Sequence, residues 1–153
     1  MCGIAGFMDT VSQDPSIINH MLDEIKHRGP DGHGTYRTAN GYLGHCRLSI
    51  IDLATGGQPM FSADNNLVLV FNGEIYNYLE LKDELSQKGY TFQTTSDSEV
   101  LLVGYEEWGK KLVDHLRGMF AFVIYDVKND LYYGARDHFG IKPFYYYHGE
   151  NSF

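Results

Sequence analysis

The chain has 153 residues, which is the size of one domain and leaves little room for a second hydrophobic core. Its 12 Lys and Arg are outnumbered by 20 Asp and Glu, and the formal net charge of -8 disfavours binding to nucleic acid or to an anionic membrane surface. The longest apolar run, from Met119 to Tyr125, is too short to span a membrane, and the N-terminus carries no signal-peptide pattern. We therefore expect one folded, soluble, cytoplasmic domain.

The first half of the chain predicts one helix and several short strands. Residues 3–8 form a short apolar run that indicates a buried strand. Asp14 followed by Pro15 is typical of a helix start, and apolar residues at helical spacing predict a helix over 15–26. Residues 27–34 are rich in glycine and charge, so we expect a loop without regular structure. Further strands are predicted at 35–38, 41–46 and 67–71.

The second half predicts two helices followed by strands. We expect Asn77 to cap a helix that ends near Gly89, and the capping-box sequence Ser96-Asp97-Ser98-Glu99 to begin the next helix, so that Asp97 lies in its first turn. Strands are predicted at 119–126, 131–136 and 144–148, the last of them an aromatic segment assigned to sheet and core.

The C-terminal residues Ser152 and Phe153 follow a turn and look like the first step of a returning strand. We therefore expect the chain to be truncated at its C-terminus. The predicted elements together indicate an α+β fold in which strands dominate.

The second residue, Cys2, can carry nucleophilic chemistry. Removal of the initiator methionine would leave its thiol beside a free α-amine, and an amine with a pKa of roughly 7.7 to 8.0 can act as the base for the thiol near neutral pH. The alternative is that Cys2 is a small hydrophobic residue buried in the first strand. Cys46 lies beside Arg47, whose charge could activate it, but a structural thiol is the favoured interpretation.

A thiol nucleophile needs donors for the oxyanion that forms on its substrate, and Asn72-Gly73 is the candidate pair. An Asn side-chain amide and a Gly backbone N–H can point at one developing charge, and such a donor is worth roughly 2.7 to 4 kcal/mol of transition-state stabilisation. The alternative is that Asn-Gly simply forms a tight turn after the strand at 67–71.

Several ordered motifs identify a family resemblance that covers essentially the whole chain. They are Met1-Cys2-Gly3-Ile4-Ala5-Gly6-Phe7, Arg28-Gly29-Pro30-Asp31-Gly32, Arg47-Leu48-Ser49-Ile50-Ile51-Asp52-Leu53, Gly57-Gln58-Pro59, Asn72-Gly73-Glu74-Ile75-Tyr76-Asn77, Ser96-Asp97-Ser98-Glu99-Val100 and Arg136-Asp137-His138-Phe139-Gly140-Ile141-Lys142-Pro143. The chain closely resembles the N-terminal glutaminase domain of glutamine-hydrolysing asparagine synthetases, a class II glutamine amidotransferase of the N-terminal-nucleophile hydrolase superfamily.

The resemblance implies a fold and a reaction. The fold is a four-layer αββα sandwich of two stacked antiparallel sheets, formed by residues 1–153 as one glutaminase domain. The implied reaction is hydrolysis of free L-glutamine to glutamate and ammonia through a Cys2 thioester, with Asn72 and Gly73 holding the oxyanion.

The resemblance also implies the groups that bind the substrate. Arg47 matches the residue that pairs with the α-carboxylate, Glu74 and Asp97 match those that receive the α-ammonium, and the backbone around Leu48 and Ile50 lines the pocket. A site with partners for both charged ends of an amino acid would reject a glutamine inside a peptide. Arg28 and Asp31 are expected to support the loop over the pocket, although a purely structural turn explains them nearly as well.

The acceptor of the ammonia is not encoded in these residues. In the resembled synthetases it is an ATP-dependent domain that requires magnesium, so ATP and magnesium are expected only for that absent synthetase domain, and no cofactor is expected for this chain. The histidines show no metal-ligand spacing, and we assign no metal. Sheet edges would allow a homodimer. The alternatives are a glutaminase domain that serves a different acceptor, and a noncatalytic module of the same fold that senses glutamine or binds a partner.

Overall fold

The computed structural model describes residues 2–48 and 57–153. Over these residues the longer elements are, in chain order, β1 (Gly3–Met8), α1 (Pro15–Ile25), β2 (Gly32–Arg37), β3 (Gly41–Arg47), β4 (Met60–Phe61), β5 (Leu67–Ile75), α2 (Tyr78–Gln87), α3 (Asp97–Trp108), α4 (Leu112–His115), β6 (Gly118–Asp126) and β7 (Leu131–Arg136). Short 3₁₀ turns at Lys26–Arg28 and Gly109–Lys111 follow α1 and α3. None of the described helices is long and apolar enough to cross a membrane.

The strands form two antiparallel sheets. In the first sheet β3 lies between β1 and β2, and in the second the order is β4-β5-β6-β7. Side chains on successive strand residues alternate between the two faces of a sheet. Leu43 of β3 therefore packs against Val68 and Val70 of β5 between the sheets, whereas Cys46, on the other face of β3, packs against α1.

The helices cover the outer faces of the two sheets. Ile18 and Leu22 of α1 are buried against the first sheet, and α2 and α3 pack on the opposite face of β5, around Leu69 and Phe71. The two buried residues of α1 and of α2 lie on the side that faces a sheet, whereas α3 is buried along most of its length. The result is helix, sheet, sheet, helix, which confirms the α+β sandwich.

Several elements agree closely with the prediction. β1 and β7 have the predicted bounds, and α1 begins at Pro15 with the Asp14 carboxylate accepting from Ser16 N–H. β5 continues beyond the predicted end at residue 71 to Ile75, so Asn72-Gly73 is part of a strand and the tight-turn interpretation is wrong. The expected loop over 27–34 is also wrong in part, because its start completes a 3₁₀ turn and its end belongs to β2.

Two predicted helix caps differ in detail. Asn77 precedes α2 but does not cap it, because its side chain donates to His115 O and accepts from Arg117 N–H. Ser96 caps α3 as expected, but Glu99 does not complete a capping box: its carboxylate accepts from the N–H groups of Gln93 and Thr94.

The strand predicted at 144–148 does not form, and its assignment to the core is wrong. Tyr145, Tyr146 and Tyr147 are 92%, 74% and 76% exposed. Three consecutive tyrosines present the same side chain to both faces, so their pattern selects no register and no buried face. The returning segment was predicted correctly, since Phe153 exchanges two backbone hydrogen bonds of 2.8 Å with Met8 at the edge of β1.

Candidate active site

Alternation along the strands places one group of polar side chains between the sheets. On β3, His45 and Arg47 follow Leu43 on the inner face, and on β5, Asn72 and Glu74 follow Val70. His45 Nε2 lies 3.2 Å from Phe71 O, and this contact fixes these two strand ends beside each other. The same end of the sandwich therefore holds a cation, a carboxylate and a side-chain amide.

Cys2 lies at this end of the first sheet. Gly3 pairs with Cys46, so the same register places Cys2 opposite Arg47. The Cys2 Sγ accepts from Leu48 N–H at 3.4 Å, and the thiol can donate to Leu48 O at 3.7 Å. Cys2 is only partly buried, so it is not the fully buried hydrophobic residue of the alternative interpretation.

The loop between α1 and β2 supports this residue. Arg28 Nε donates to Cys2 O at 3.1 Å, and Asp31 N–H donates to Arg47 O at 3.0 Å. Gly29 is required where the loop meets β3, because a Cβ there would lie 2.4 Å from the carbonyl group of Cys46. Arg28 and Asp31 thus join the loop to the backbone of Cys2 and Arg47.

The edge of β5 that faces away from β6 presents the candidate oxyanion donor. Phe71 N–H donates to Gln58 Oε1 at 2.6 Å, and Ile75 N–H donates to Asp97 Oδ2 at 3.0 Å. Backbone groups of alternate strand residues point to the same edge, so Gly73 N–H points there too, between these two bonds. Within the described part of the chain we find no acceptor for Gly73 N–H, and the neighbouring Asn72 side chain is buried.

Two carboxylates lie close to this edge. Asp97 begins α3 and is 8% exposed, and Glu74 follows Gly73 on β5. Burial raises the pKa of the Asp97 carboxyl above its usual value, and the negative charge of Glu74 raises it further, against the opposing effect of the Ile75 and Ser98 N–H groups. A ligand cation between the two carboxylates would relieve both effects.

Cys46 lies on the opposite face of β3 from this site. Its Sγ donates to Leu22 O at 3.5 Å, and burial raises the pKa of the Cys46 thiol. It borders a cavity of about 320 Å³ beneath α1, which lies behind the first sheet and away from Asn72 and Asp97. These features are those of a structural thiol.

The structure therefore gathers nearly all the predicted site residues at one end of the sandwich. They are Cys2, Arg28, Asp31, Arg47, Leu48, Asn72, Gly73, Glu74 and Asp97. Ile50 lies outside the described residues. Over residues 2–48 and 57–153, no group of three or more His, Cys, Asp or Glu is arranged to hold a metal ion.

Sequence reasoning missed the roles of His45 and Gln58, which both bond to Phe71. Strand alternation could have placed His45 on the same face as Leu43 and Arg47. Gln58 lies in the motif Gly57-Gln58-Pro59, but the motif does not reveal its partner, which is 13 residues away along the chain.

Comparisons with known proteins show the family of the chain. The family model described as glutamine amidotransferase domain matches residues 1–153. The chain is 47% identical to asparagine synthetase [glutamine-hydrolyzing] 1 of Bacillus subtilis over 95% of its own length, and 42% identical to asparagine synthetase B of Escherichia coli over 99%. It spans about a quarter of these relatives, 24% of the first and 28% of the second.

Solved structures show the same fold. Glutamine phosphoribosylpyrophosphate amidotransferase from B. subtilis matches with a TM-score of 0.67 at 24% identity, over 81% of this chain and 35% of that one. A structure titled as the allosteric regulatory enzyme of purine biosynthesis matches with a TM-score of 0.65 at 26% identity, over the same shares of the two chains. By its sequence and its fold, the chain belongs to the glutamine amidotransferase domain family.

Proposed function

We propose that this domain hydrolyses free L-glutamine to glutamate and ammonia, with Cys2 as the nucleophile. The observation that carries the proposal is the shared location, at one end of the sandwich, of the Cys2 thiol, the Asn72 amide and the Gly73 N–H, for which the described residues offer no acceptor. A nucleophile and two oxyanion donors are the minimum set for transfer of an acyl group to a thiol.

The first half of the reaction forms a thioester. After removal of Met1, the α-amine of Cys2 takes the thiol proton and Sγ attacks the side-chain amide carbon of glutamine. Asn72 and Gly73 N–H donate to the oxyanion. The amine then returns the proton to the leaving nitrogen, the carbon–nitrogen bond breaks, and ammonia departs.

The second half regenerates the enzyme. Water attacks the thioester while the α-amine takes one of its protons, and the same two donors hold the second oxyanion. Collapse of this intermediate breaks the carbon–sulfur bond and releases glutamate, and the thiolate regains its proton from the amine.

Binding follows the charges of a free amino acid. Arg47 provides a planar cation for the α-carboxylate, while Glu74 and Asp97 receive the α-ammonium. The raised pKa of Asp97 supports this assignment, because two neighbouring carboxylates gain most from an incoming cation. A peptide-internal glutamine lacks both charged ends and should be a poor substrate.

We further propose that the ammonia serves a synthetase domain outside these 153 residues. The support is the similarity to asparagine synthetases, of which the chain spans about a quarter. Aspartate activation with ATP and magnesium would then belong to that domain, in a cytoplasmic protein.

Intact-protein mass spectrometry tests the glutaminase proposal. The chain is incubated with a diazoketone analogue of glutamine that carries a free α-amino acid group. We expect one adduct per chain, located on an N-terminal Cys2, and no adduct on a Cys2→Ala variant. A Cys46→Ala variant is the matched control and should still be labelled, because Cys46 lies behind the sheet.

Ammonia release is measured on the same preparations. Cys2→Ala should bind glutamine without releasing ammonia, and chains that retain Met1 should be inactive because their α-amine is displaced from the thiol. Unchanged ammonia release by Cys2→Ala would refute the thiol mechanism. Full activity of uniformly Met1-retaining protein would refute the role of the α-amine.

A further inference from the structure

The strand β5 carries the proposed oxyanion donors Asn72 and Gly73, and we call it the oxyanion strand. Side chains bond to its backbone beyond the point where β4 ends. β4 covers β5 only at Val68 and Leu69. Beyond this point the backbone groups of Phe71 and Gly73 point to the edge away from β6, where no strand formed by residues 2–48 or 57–153 pairs with them. An uncovered strand end is free to shift unless other groups fix it.

Two side chains from different parts of the fold take both backbone groups of Phe71. Gln58 Oε1 accepts from Phe71 N–H at 2.6 Å, and His45 Nε2 donates to Phe71 O at 3.2 Å. A carbonyl oxygen can only accept, so the proton of the neutral imidazole lies on Nε2. His45 is 1% exposed, and its Nδ1 has no hydrogen-bond partner among the described residues.

These contacts connect the three elements that carry the site, which are β3, β5 and the start of α3. His45 lies two residues before Arg47 on β3, and Phe71 directly precedes Asn72 on β5. Gln58 Nε2 donates to Ser98 Oγ at 3.5 Å, next to Asp97 at the start of α3. Each contact therefore lies beside a residue that is proposed to bind glutamine or to stabilise its oxyanion.

We propose that His45 and Gln58 are positioning residues for the oxyanion donors: they fix both backbone groups of Phe71 and thereby the directions of the Asn72 side chain and Gly73 N–H. The inference rests on the proposed glutaminase function and adds two residues to the same site. It assigns them no contact with substrate.

Loss of these bonds should affect the chemical step more than binding. β3 is paired on both sides, by β1 and β2, so Arg47 stays in place when the His45 side chain changes. Among the strands of the described chain, β6 alone pairs with β5 at Asn72 and Gly73, so loss of the bonds to Phe71 should let these donors move. A displacement of about 1 Å in a catalytic group can reduce the rate by roughly 100-fold.

Paired substitutions test the role of each bond. Gln58→Met removes the acceptor with little change in volume, whereas Gln58→Glu keeps an acceptor oxygen for Phe71 N–H. His45→Leu removes the donor, and His45→Gln keeps an amide donor. For each variant we would measure kcat and KM for glutamine hydrolysis, and the Kd for glutamine in a Cys2→Ala background.

We expect Gln58→Met and His45→Leu to lower kcat by roughly 10- to 100-fold while Kd stays within about twofold of the parent. Gln58→Glu and His45→Gln should recover most of the lost rate. Wild-type rates in both Gln58→Met and His45→Leu, or an equal loss in kcat and in binding affinity, would overturn the inference. A wild-type chain that hydrolyses no glutamine would instead overturn the proposed function beneath it.

A spectroscopic measurement keeps the inference testable if a variant does not fold. The ¹⁵N chemical shifts of the His45 imidazole in the wild-type chain should be those of the tautomer protonated at Nε2. The tautomer protonated at Nδ1 would contradict the His45–Phe71 hydrogen bond and overturn the inference without any variant.

Discussion

Mild acid should destabilise this fold through His45. Its imidazole is 1% exposed, and burial, together with the nearby charge of Arg47, lowers its pKa to about 4 despite the opposing hydrogen bond to Phe71 O. In the unfolded chain the group titrates near its ordinary value of about 6.5. Between these two pKa values the unfolded chain binds a proton that the folded chain does not, so the free energy of unfolding decreases as the pH falls.

The two pKa values set the magnitude. Their difference corresponds to about 3 kcal/mol once the pH is below both, and about 2 kcal/mol of this is lost between pH 7 and pH 5. For an ordinary domain this is a substantial part of the total stability. The stability contributed by neutral His45 is fully present above pH 6.5 and falls towards pH 4.

Urea unfolding of the wild type and of His45→Gln at pH 7, 6 and 5 measures this contribution. The wild type should lose about 2 kcal/mol more than the variant between pH 7 and pH 5. His20→Gln is the matched control, because His20 is exposed on α1, and its curve should follow that of the wild type. Parallel pH dependence in the wild type and His45→Gln would refute the reasoning.

Three further predictions concern the oxyanion strand and the ammonium site. Gly73→Ala should remove most of the glutaminase activity, because a Cβ there would lie 2.3 Å from Met119 O and would separate β5 from β6. Gly134→Ala, whose nearest contact is the tip of the Phe144 ring at 3.2 Å, should stay close to wild type in the same steady-state assay; equal rates in the two variants would contradict this. Asp97→Asn should raise KM for glutamine at pH 7 by about tenfold or more, since it removes a charge that we propose receives the ammonium; an unchanged KM would remove Asp97 from the site. In the wild type, KM should rise as the pH falls, because Asp97 loses its charge on protonation. The rise should begin at a pH above the usual titration range of a carboxyl, since the pKa of Asp97 is raised. If KM of the wild type and of Asp97→Asn changed with pH in the same way, this assignment would be wrong.

Local sequence was sufficient to predict an element where its pattern specifies which face is buried and where the element begins or ends. The strand β1 and the hairpin of β6 and β7 follow from apolar runs bounded by turn residues, and the helix starts at Asp14 and Ser96 follow from side chains that accept bonds within two residues. These signals depend on neighbours in the chain. These elements could therefore be predicted without knowledge of the tertiary structure.

Local sequence was insufficient where the partner is distant. Asn77 has the residue type of a helix cap, but its side chain bonds to groups 38 and 40 residues away. The tyrosines at 145–147 have high β propensity, yet propensity gives no strand without a partner edge and a face to bury. Both predictions were reasonable locally, and tertiary contacts decided against them.

The candidate site shows the same division. Cys2, Asn72 and Arg47 were identified through ordered motifs and the chemistry that each residue type can perform. His45 belongs to none of these motifs, and the motif Gly57-Gln58-Pro59 does not indicate what Gln58 contacts, because both side chains bond to Phe71 across 26 and 13 residues. Only the structure reveals that both backbone groups of one residue are fixed by side chains.

The position of the proposed oxyanion donor follows from two opposing requirements. A catalytic N–H must be rigid, and it must also lack a partner until the substrate arrives. In the interior of a sheet an N–H is rigid but already bonded, whereas in a loop it is available but mobile. Within the described part of the chain Gly73 meets both requirements: β6 fixes one side of its strand, Gln58 and Asp97 take the N–H groups two residues before and after it, and Gly73 N–H itself has no acceptor there. If a strand paired with β5 alongside Gly73, its ladder would occupy the N–H group that the proposed reaction uses.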